Sequence, residues 1–206
     1  MPASNSAVGR RQPRQRRARQ TVDAILEAVL RVLKREGLQA ITTNRIAEVA
    51  GVSIGSVYQY FPDKHAIFAA LHQRHVEEMD RLVESTLVRH ASAPLEELIC
   101  ALIEGLAEAH AANPELHELL SAQVPGRAGG GQSFATRLQG AVRLAIAANQ
   151  VGPRSPRDLE KAVFIVHNMI DALSHAMLHR PAQMTLAAAK EEAVAAIMAY
   201  LRSQKG

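Results

Sequence analysis

Residues 42–64, Thr-Thr-Asn-Arg-Ile-Ala-Glu-Val-Ala-Gly-Val-Ser-Ile-Gly-Ser-Val-Tyr-Gln-Tyr-Phe-Pro-Asp-Lys, read as two short helices joined by a tight turn. Thr43 suits the N-cap of the first helix, whose inward face is Ile46, Ala47 and Ala50. Gly51 falls where that helix must stop and reverse, a place for positive φ. Ser53 suits the cap of the second helix, and Ile54, Val57, Tyr58 and Phe61 recur at the spacing of one buried stripe. The opposite face, Gly55, Ser56, Gln59 and Tyr60, holds no acidic residue. A solvated helix face normally carries Lys and Glu, so this one suits a partner other than water. Such a helical corner can set its second helix into the major groove of DNA. An ordinary αα-corner inside a helical protein is the alternative.

Toward the N-terminus, Val22, Ile25, Leu26, Val29, Leu30 and Leu33 predict a helix from about Arg16 to Glu36, ended by Gly37. It completes a three-helix head over residues 16–64. Residues 1–15 have no apolar periodicity and are expected to be disordered. Arg10, Arg11, Arg14, Arg16, Arg17 and Arg19 arrive with no acid among the first twenty residues. They form either a solvated basic tail or an arm that neutralises phosphates or enters the minor groove, and the neighbouring corner favours the arm.

Charge divides the chain in the same way. Residues 1–64 hold 11 Lys and Arg against 5 Asp and Glu, a net +6, whereas residues 65–206 hold 13 against 15, a net −2. A basic head on a slightly acidic body suits nucleic-acid binding coupled to a different task.

The body, residues 65–206, reads as further helices. Pro62-Asp63 ends the head and caps a long connector carrying Ile67, Phe68, Leu71, Met79, Leu82, Val83 and Leu87. Helices then follow from Pro94, from Asn113-Pro114, around Phe134 to Ile146, from Ser155 to about Arg180, and from about Leu186 to Arg202. Pro125–Gly131 is the most loop-like segment and is expected to be mobile. In the helix opened by Ser155-Pro156, Leu159, Val163, Val166, Ile170, Leu173 and Met177 step by four and three. Ala162, Ile165, Met169, Ala172 and Ala176 make a second, smaller stripe. Two apolar faces imply two packing partners: the chain's own core and a copy of itself, or else burial on all sides within one chain.

Composition excludes several classes. Scarce aromatics and no Trp favour an all-α fold. The lone Cys100 permits no intrachain disulfide and reads as a small buried hydrophobe. No stretch is long and apolar enough to span a bilayer, and no apolar segment follows the N-terminal arginines as in a signal peptide, so a cytoplasmic protein is expected. Phosphate-binding loops, the dinucleotide turn, the nucleophile elbow and the His-Glu-x-x-His motif are all missing, which argues against an enzyme. His167, Asp171, His175 and His179 step by four along one helix, but an exposed stripe is the commoner meaning of such spacing, and neither metal nor cofactor is expected.

Gly37, Thr42-Thr43, Ile46-Ala47, Ala50-Gly51-Val52-Ser53, Gly55-Ser56-Val57-Tyr58, Tyr60-Phe61 and Lys64, taken as an ordered set, resemble the N-terminal signature of the TetR family of bacterial transcription regulators. The likeness runs from about Arg19 to Phe68. It implies an all-α protein: a helix-turn-helix head, and a helical bundle that binds an effector and dimerises through its last two long helices. The interface would then draw on Leu159, Val163, Val166, Ile170, Leu173 and Met177 with Val194, Ile197, Met198 and Leu201. A dimer also suits half-sites about one DNA turn apart.

The face of the second helix assigns contacts. Gln59 can bond an adenine edge, Ser56 a base or phosphate, and Gly55 permits close approach. Tyr58 and Tyr60 can reach phosphate or sugar, Lys64 is a phosphate anchor, and Asn44 and Arg45 can touch backbone or an outer base. The family often turns the position of Ile54 toward DNA, against the inward stripe drawn above. For the effector, the resemblance implies a pocket among the middle helices, with Leu102, Leu106, Phe134, Leu138, Phe164 and Met169 as wall and His110, His167, Asn168 and Asp171 as polar groups. The function expected is a ligand-released repressor on a palindromic operator. The rival is a helical dimer that binds nucleic acid without sequence preference and acts through a protein partner.

Overall fold

A computed structural model describes residues 8–123, 130–149 and 155–204, with side chains over 15–120, 134–149 and 155–204. The described residues are helical, with no strand among them. They fall into two compact units, one built from residues up to 72 with 118–123, the other from 73–117 and the described residues from 130 on.

In the first unit α1 spans Val8–Glu36 and starts eight residues before Arg16. Arg and Gln are good helix formers, so the basic stretch needs no apolar stripe to become helical. The expected disorder of residues 1–7 lies outside the described residues. Ile25, Leu26, Ala28, Val29, Val32 and Leu33 are buried along one face of α1. Gly37, at φ 81°, releases the chain into a single 3-10 turn, Leu38–Ala40. Then come α2, Thr43–Ala50, and α3, Ile54–Tyr60.

α4, Lys64–Arg89, contributes to both units; Asp63 caps it by accepting from the Ala66 amide at 2.8 Å. The second unit continues with α5 (Leu95–Ala112), the start of α6 (Pro114–Gln123), α7 (Gly130–Ala148), α8 (Pro156–Ala176) and α9 (Leu186–Ser203). Residues 125–129 of the expected mobile loop lie outside the described residues, while Gly130 and Gly131 already belong to α7. Ser155 caps α8 by accepting from the Asp158 amide, and Pro156 occupies its first turn. α8 ends at Ala176 rather than near Arg180, and Met177–His179 forms a 3-10 turn.

α8 is the core helix of this unit, packed by α5, α7 and α9. Val163, Val166, Ile170 and Met177 are buried there with Leu102, Ile103, Leu106, Leu138, Ile146 and Ile197. Each such side chain contributes about 1.5–3 kcal/mol by leaving water. Cys100 is half-buried against the same core instead of inside it.

Candidate nucleic-acid interface

The corner forms through local hydrogen bonding. Thr42, not Thr43, is the N-cap of α2: its hydroxyl accepts from the Arg45 amide at 3.1 Å. With two threonines in succession, either can start the helix. Thr42 takes the extended backbone, and the displaced Thr43 places its hydroxyl 3.3 Å from that of Tyr58. Gly51, at φ 69°, caps the C-terminus of α2 in the left-handed region, and its amide reaches the Ala47 and Glu48 carbonyls. Ser53 then caps α3 by accepting from the Ser56 amide at 3.0 Å.

The buried edge of α3 is narrower than expected. Val57 and Phe61 are buried, whereas Ile54 is 38% exposed and Tyr58 53% exposed. The four-residue step that pairs Val57 with Phe61 also pairs Ile54 with Tyr58, on the neighbouring edge of a seven-residue helix. Ile54 therefore turns outward, correcting the inward stripe. Ile54, Gly55, Tyr58 and Gln59 are exposed together, covering an arc of about 140°. Ser56 and Tyr60 flank that arc, half-buried, and the Ser56 hydroxyl lies 2.8 Å from that of Ser53 within the cap.

Basic and polar groups border this face unequally. Lys64 is exposed at the first position of α4 and, among the described residues, forms no ion pair. With Thr42, Thr43, Tyr58 and Asp63 it lines a shallow surface groove. Asn44 is exposed on the first turn of α2. Arg45 is held. Its Nε donates to Glu36 Oε2 at 2.9 Å, its Nη2 to Oε1 at 2.7 Å, and its Nη1 meets Glu48 Oε2 at 2.6 Å. The hydrogen bond from Arg45 draws the Glu36 carboxyl below the usual carboxylate range, and the same bond pushes the guanidinium further up. Arg16, Arg17 and Arg19 are exposed along α1.

The profile described as bacterial regulatory proteins, tetR family, matches residues 25–71. A second, described as the tetracyclin repressor-like C-terminal domain, matches residues 94–201, more than half of the chain. The chain belongs to the TetR family. It is thus a DNA-binding transcription regulator by family, not an enzyme. A relative, the nucleoid occlusion factor SlmA of Haemophilus ducreyi, is 39% identical over 70 residues, 34% of this chain and 31% of that protein. The match thus spans about a third of this relative's length. Among solved structures, a protein of unknown function from Rhodococcus sp. RHA1 has a TM-score of 0.72 at 18% identity, over 88% of this chain and 95% of that one. The regulator FadR from Bacillus subtilis, solved with stearoyl-CoA, has a TM-score of 0.63 at 18% identity, over 87% and 96%. At these identities the likeness is one of fold.

Within the TetR body, the residues expected to wall an effector pocket are dispersed. Leu102, Leu106 and Leu138 are core residues, Phe134 and Met169 are half-buried against the core, and His110, His167 and Asp171 are buried polar groups. Phe164, 59% exposed, and Asn168 point away from that core, so the pocket wall drawn through them is corrected. A cavity of about 10 Å³ lies among Leu95, Leu98, Ile99, Leu102, Val142, Ala145, Ile146, Val166 and Ile170, hardly room for one water.

The expected dimer stripe is corrected too. Val163, Val166, Ile170, Met177, Val194, Ile197, Met198 and Leu201 are buried inside the chain, and Leu159 and Leu173 pack against the same core. The outward side of α8 carries Phe164, Ile165, Asn168, Ala172 and Ala176, and α9 exposes Ala195, Ala196 and Ala199. The larger residues went inward because the core takes the stripe that buries more apolar area.

Proposed function

We propose that this TetR-family chain is a ligand-responsive repressor that binds a palindromic operator as a dimer and is released by a small molecule. The observation that carries the reading is the face of α3: Ile54, Gly55, Tyr58 and Gln59 exposed together with no charge among them. Leaving Ile54 and Tyr58 in water is costly, and a major-groove floor offers thymine methyls and base edges to both. Residues 16–64 form the reading head and 65–206 the sensing and pairing body, with residues 1–15 as a basic arm. Gln59 reads a base, Gly55 lets the helix approach, and Ile54 contacts a methyl. Lys64, Tyr58 and Thr43 hold phosphate beside it, Asn44 lies within reach of the backbone, and Ser56 and Tyr60 border the contact. The outward side of α8, with Phe164 and Ile165, pairs two copies. A cytoplasmic location follows from this task, and among the described residues no helix is long and apolar enough to cross a membrane.

The effector is proposed to be mostly apolar and to enter among α5, α7 and α8, where the small cavity already separates Leu102 from Ile146 and Val166. The neighbour of like fold solved with stearoyl-CoA supports an apolar ligand class. Selection of bound duplexes from a random pool, followed by footprinting, tests the reading. The expected result is one enriched palindrome protected as two half-sites. Uniform coating of DNA instead supports a nucleic-acid-binding dimer acting through a protein partner.

A further inference from the structure

Away from the α3 face, four histidine rings meet inside the second unit. His75 comes from α4, His110 from the last turn of α5, His117 from α6 and His175 from the last turn of α8. The turn at Asn113-Pro114 reverses the chain between His110 and His117, bringing their ring centroids to 4.2 Å. His75 lies 4.9 Å from His117, and His175 4.1 Å from His110. One nitrogen from each of His75, His110 and His117 falls within 4.8 Å of the others.

Such packing wastes hydrogen bonds unless something else satisfies the rings. His110 Nδ1 and His117 Nε2 are buried with no hydrogen-bond partner, an arrangement that carries a desolvation cost. Burial first, then the neighbouring rings, pushes His110 down to about 2 and His117 to about 4. A neutral imidazole offers one nitrogen lone pair. His175 Nδ1 lies 2.8 Å from the Asp171 backbone carbonyl. A carbonyl only accepts, so Nδ1 carries the proton and Nε2 the lone pair, the orientation of a metal-ligating histidine.

We propose that His75, His110 and His117 bind one divalent transition-metal ion of the zinc type, with the His175 ring packed beside them. Neutral imidazoles suit Zn²⁺, Ni²⁺ or Co²⁺ and not Mg²⁺ or Ca²⁺. Ligand bonds of about 2.0–2.1 Å place tetrahedral nitrogens roughly 3.3 Å apart. The widest present separation, 4.8 Å, must shrink by about 1.5 Å, which small χ rotations of three rings supply. The bound ion would tie α4 to α5, α6 and α8. Cys100 is not among these ligands, so no thiolate is involved.

The test uses tag-free full-length protein, treated with chelator, dialysed and titrated with Zn²⁺ against a chromophoric competitor. One ion per chain is expected, with a raised melting temperature, and Co²⁺ should give d–d bands with no thiolate charge-transfer band. His75→Gln and His117→Gln, at half-exposed positions that should still fold, are each expected to weaken binding more than roughly tenfold, the lower end of what even an outer-shell loss costs. His110→Gln should do the same wherever circular dichroism shows it folded. His90→Gln, whose ring faces Glu97 at 4.0 Å elsewhere on the body, should leave binding unchanged. No stoichiometric uptake, or uptake equal in His75→Gln, His117→Gln and the parent chain, overturns the proposal. None of these readouts involves DNA, so the outcome is separate from that of the operator selection.

Discussion

Lys64→Ala and Arg45→Ala remove one cation each from the same surface, yet the structure predicts that only the first changes the salt dependence. Lys64 is exposed with no ion pair among the described residues, so it is available to release a counterion from a phosphate. Arg45 is already neutralised by Glu36 and Glu48 at 2.6–2.9 Å. Each phosphate neutralised contributes about −0.9 to the slope of log K against log salt, so two copies of Lys64 in a dimer contribute about −1.8. Between about 50 and 200 mM salt, that contribution alone is about a tenfold loss of affinity, which Lys64→Ala should abolish. Arg45→Ala should leave the slope within error of the parent and cost the head little, as the loss of an exposed ion pair does. Fluorescence anisotropy on one selected duplex, read at four or more salt concentrations, measures both. Equal flattening by the two variants, or an unchanged slope for Lys64→Ala, refutes the division of labour between them.

The remaining expectations concern specificity, pairing and the corner itself. Gln59→Ala should change the preferred base at one position of each half-site, by about 1–3 kcal/mol per site, when variant and parent are run through the same random-pool selection. Phe164→Glu should give monomers by sedimentation with helicity intact, because the ring is 59% exposed and leaves no cavity; an intact dimer would move the pairing surface elsewhere. Gly51→Ala should lower stability by about 1–2 kcal/mol in thermal melts, since φ 69° places Cβ against the following carbonyl.

The head was legible because its instructions are local. Gly37 and Gly51 take the positive φ that their positions between helices demanded, and Ser53 caps α3 as its place before Ile54 predicted. What misled was finer than one turn. Thr42 and Thr43 are chemically equivalent as caps, and the spacing of Ile54, Val57, Tyr58 and Phe61 names a stripe too wide for a seven-residue helix to bury. Arg45 looked free because Glu36, which takes two of its hydrogen-bonding nitrogens, sits in another element, α1. The histidine cluster was hidden for the same reason. The stepwise stripe on α8 singles out His167, Asp171, His175 and His179, but the rings that meet His175 come from two other helices, α5 and α6. Within one helix the sequence states spacing; between helices it states nothing until the fold is known.

The body's two apolar stripes on α8 show how that gap bears on regulation. Both were legible, but which faced inward depended on α5, α7 and α9, and they took the bulkier one. Among the described residues, the cavity lined by α5, α7 and α8 is about 10 Å³, hardly room for one water. At the site proposed for the effector, a ligand of several methylenes would have to separate α5, α7 and α8, and it would shift the protein only by its preference for that separated arrangement. Moving the population from 1:99 to 99:1 needs about 5.5 kcal/mol of differential binding. Burying roughly seven methylenes, at about 0.8 kcal/mol each, supplies it. The apolar effector proposed above suits this packing, since a ligand with that much apolar surface can offset the contacts it separates.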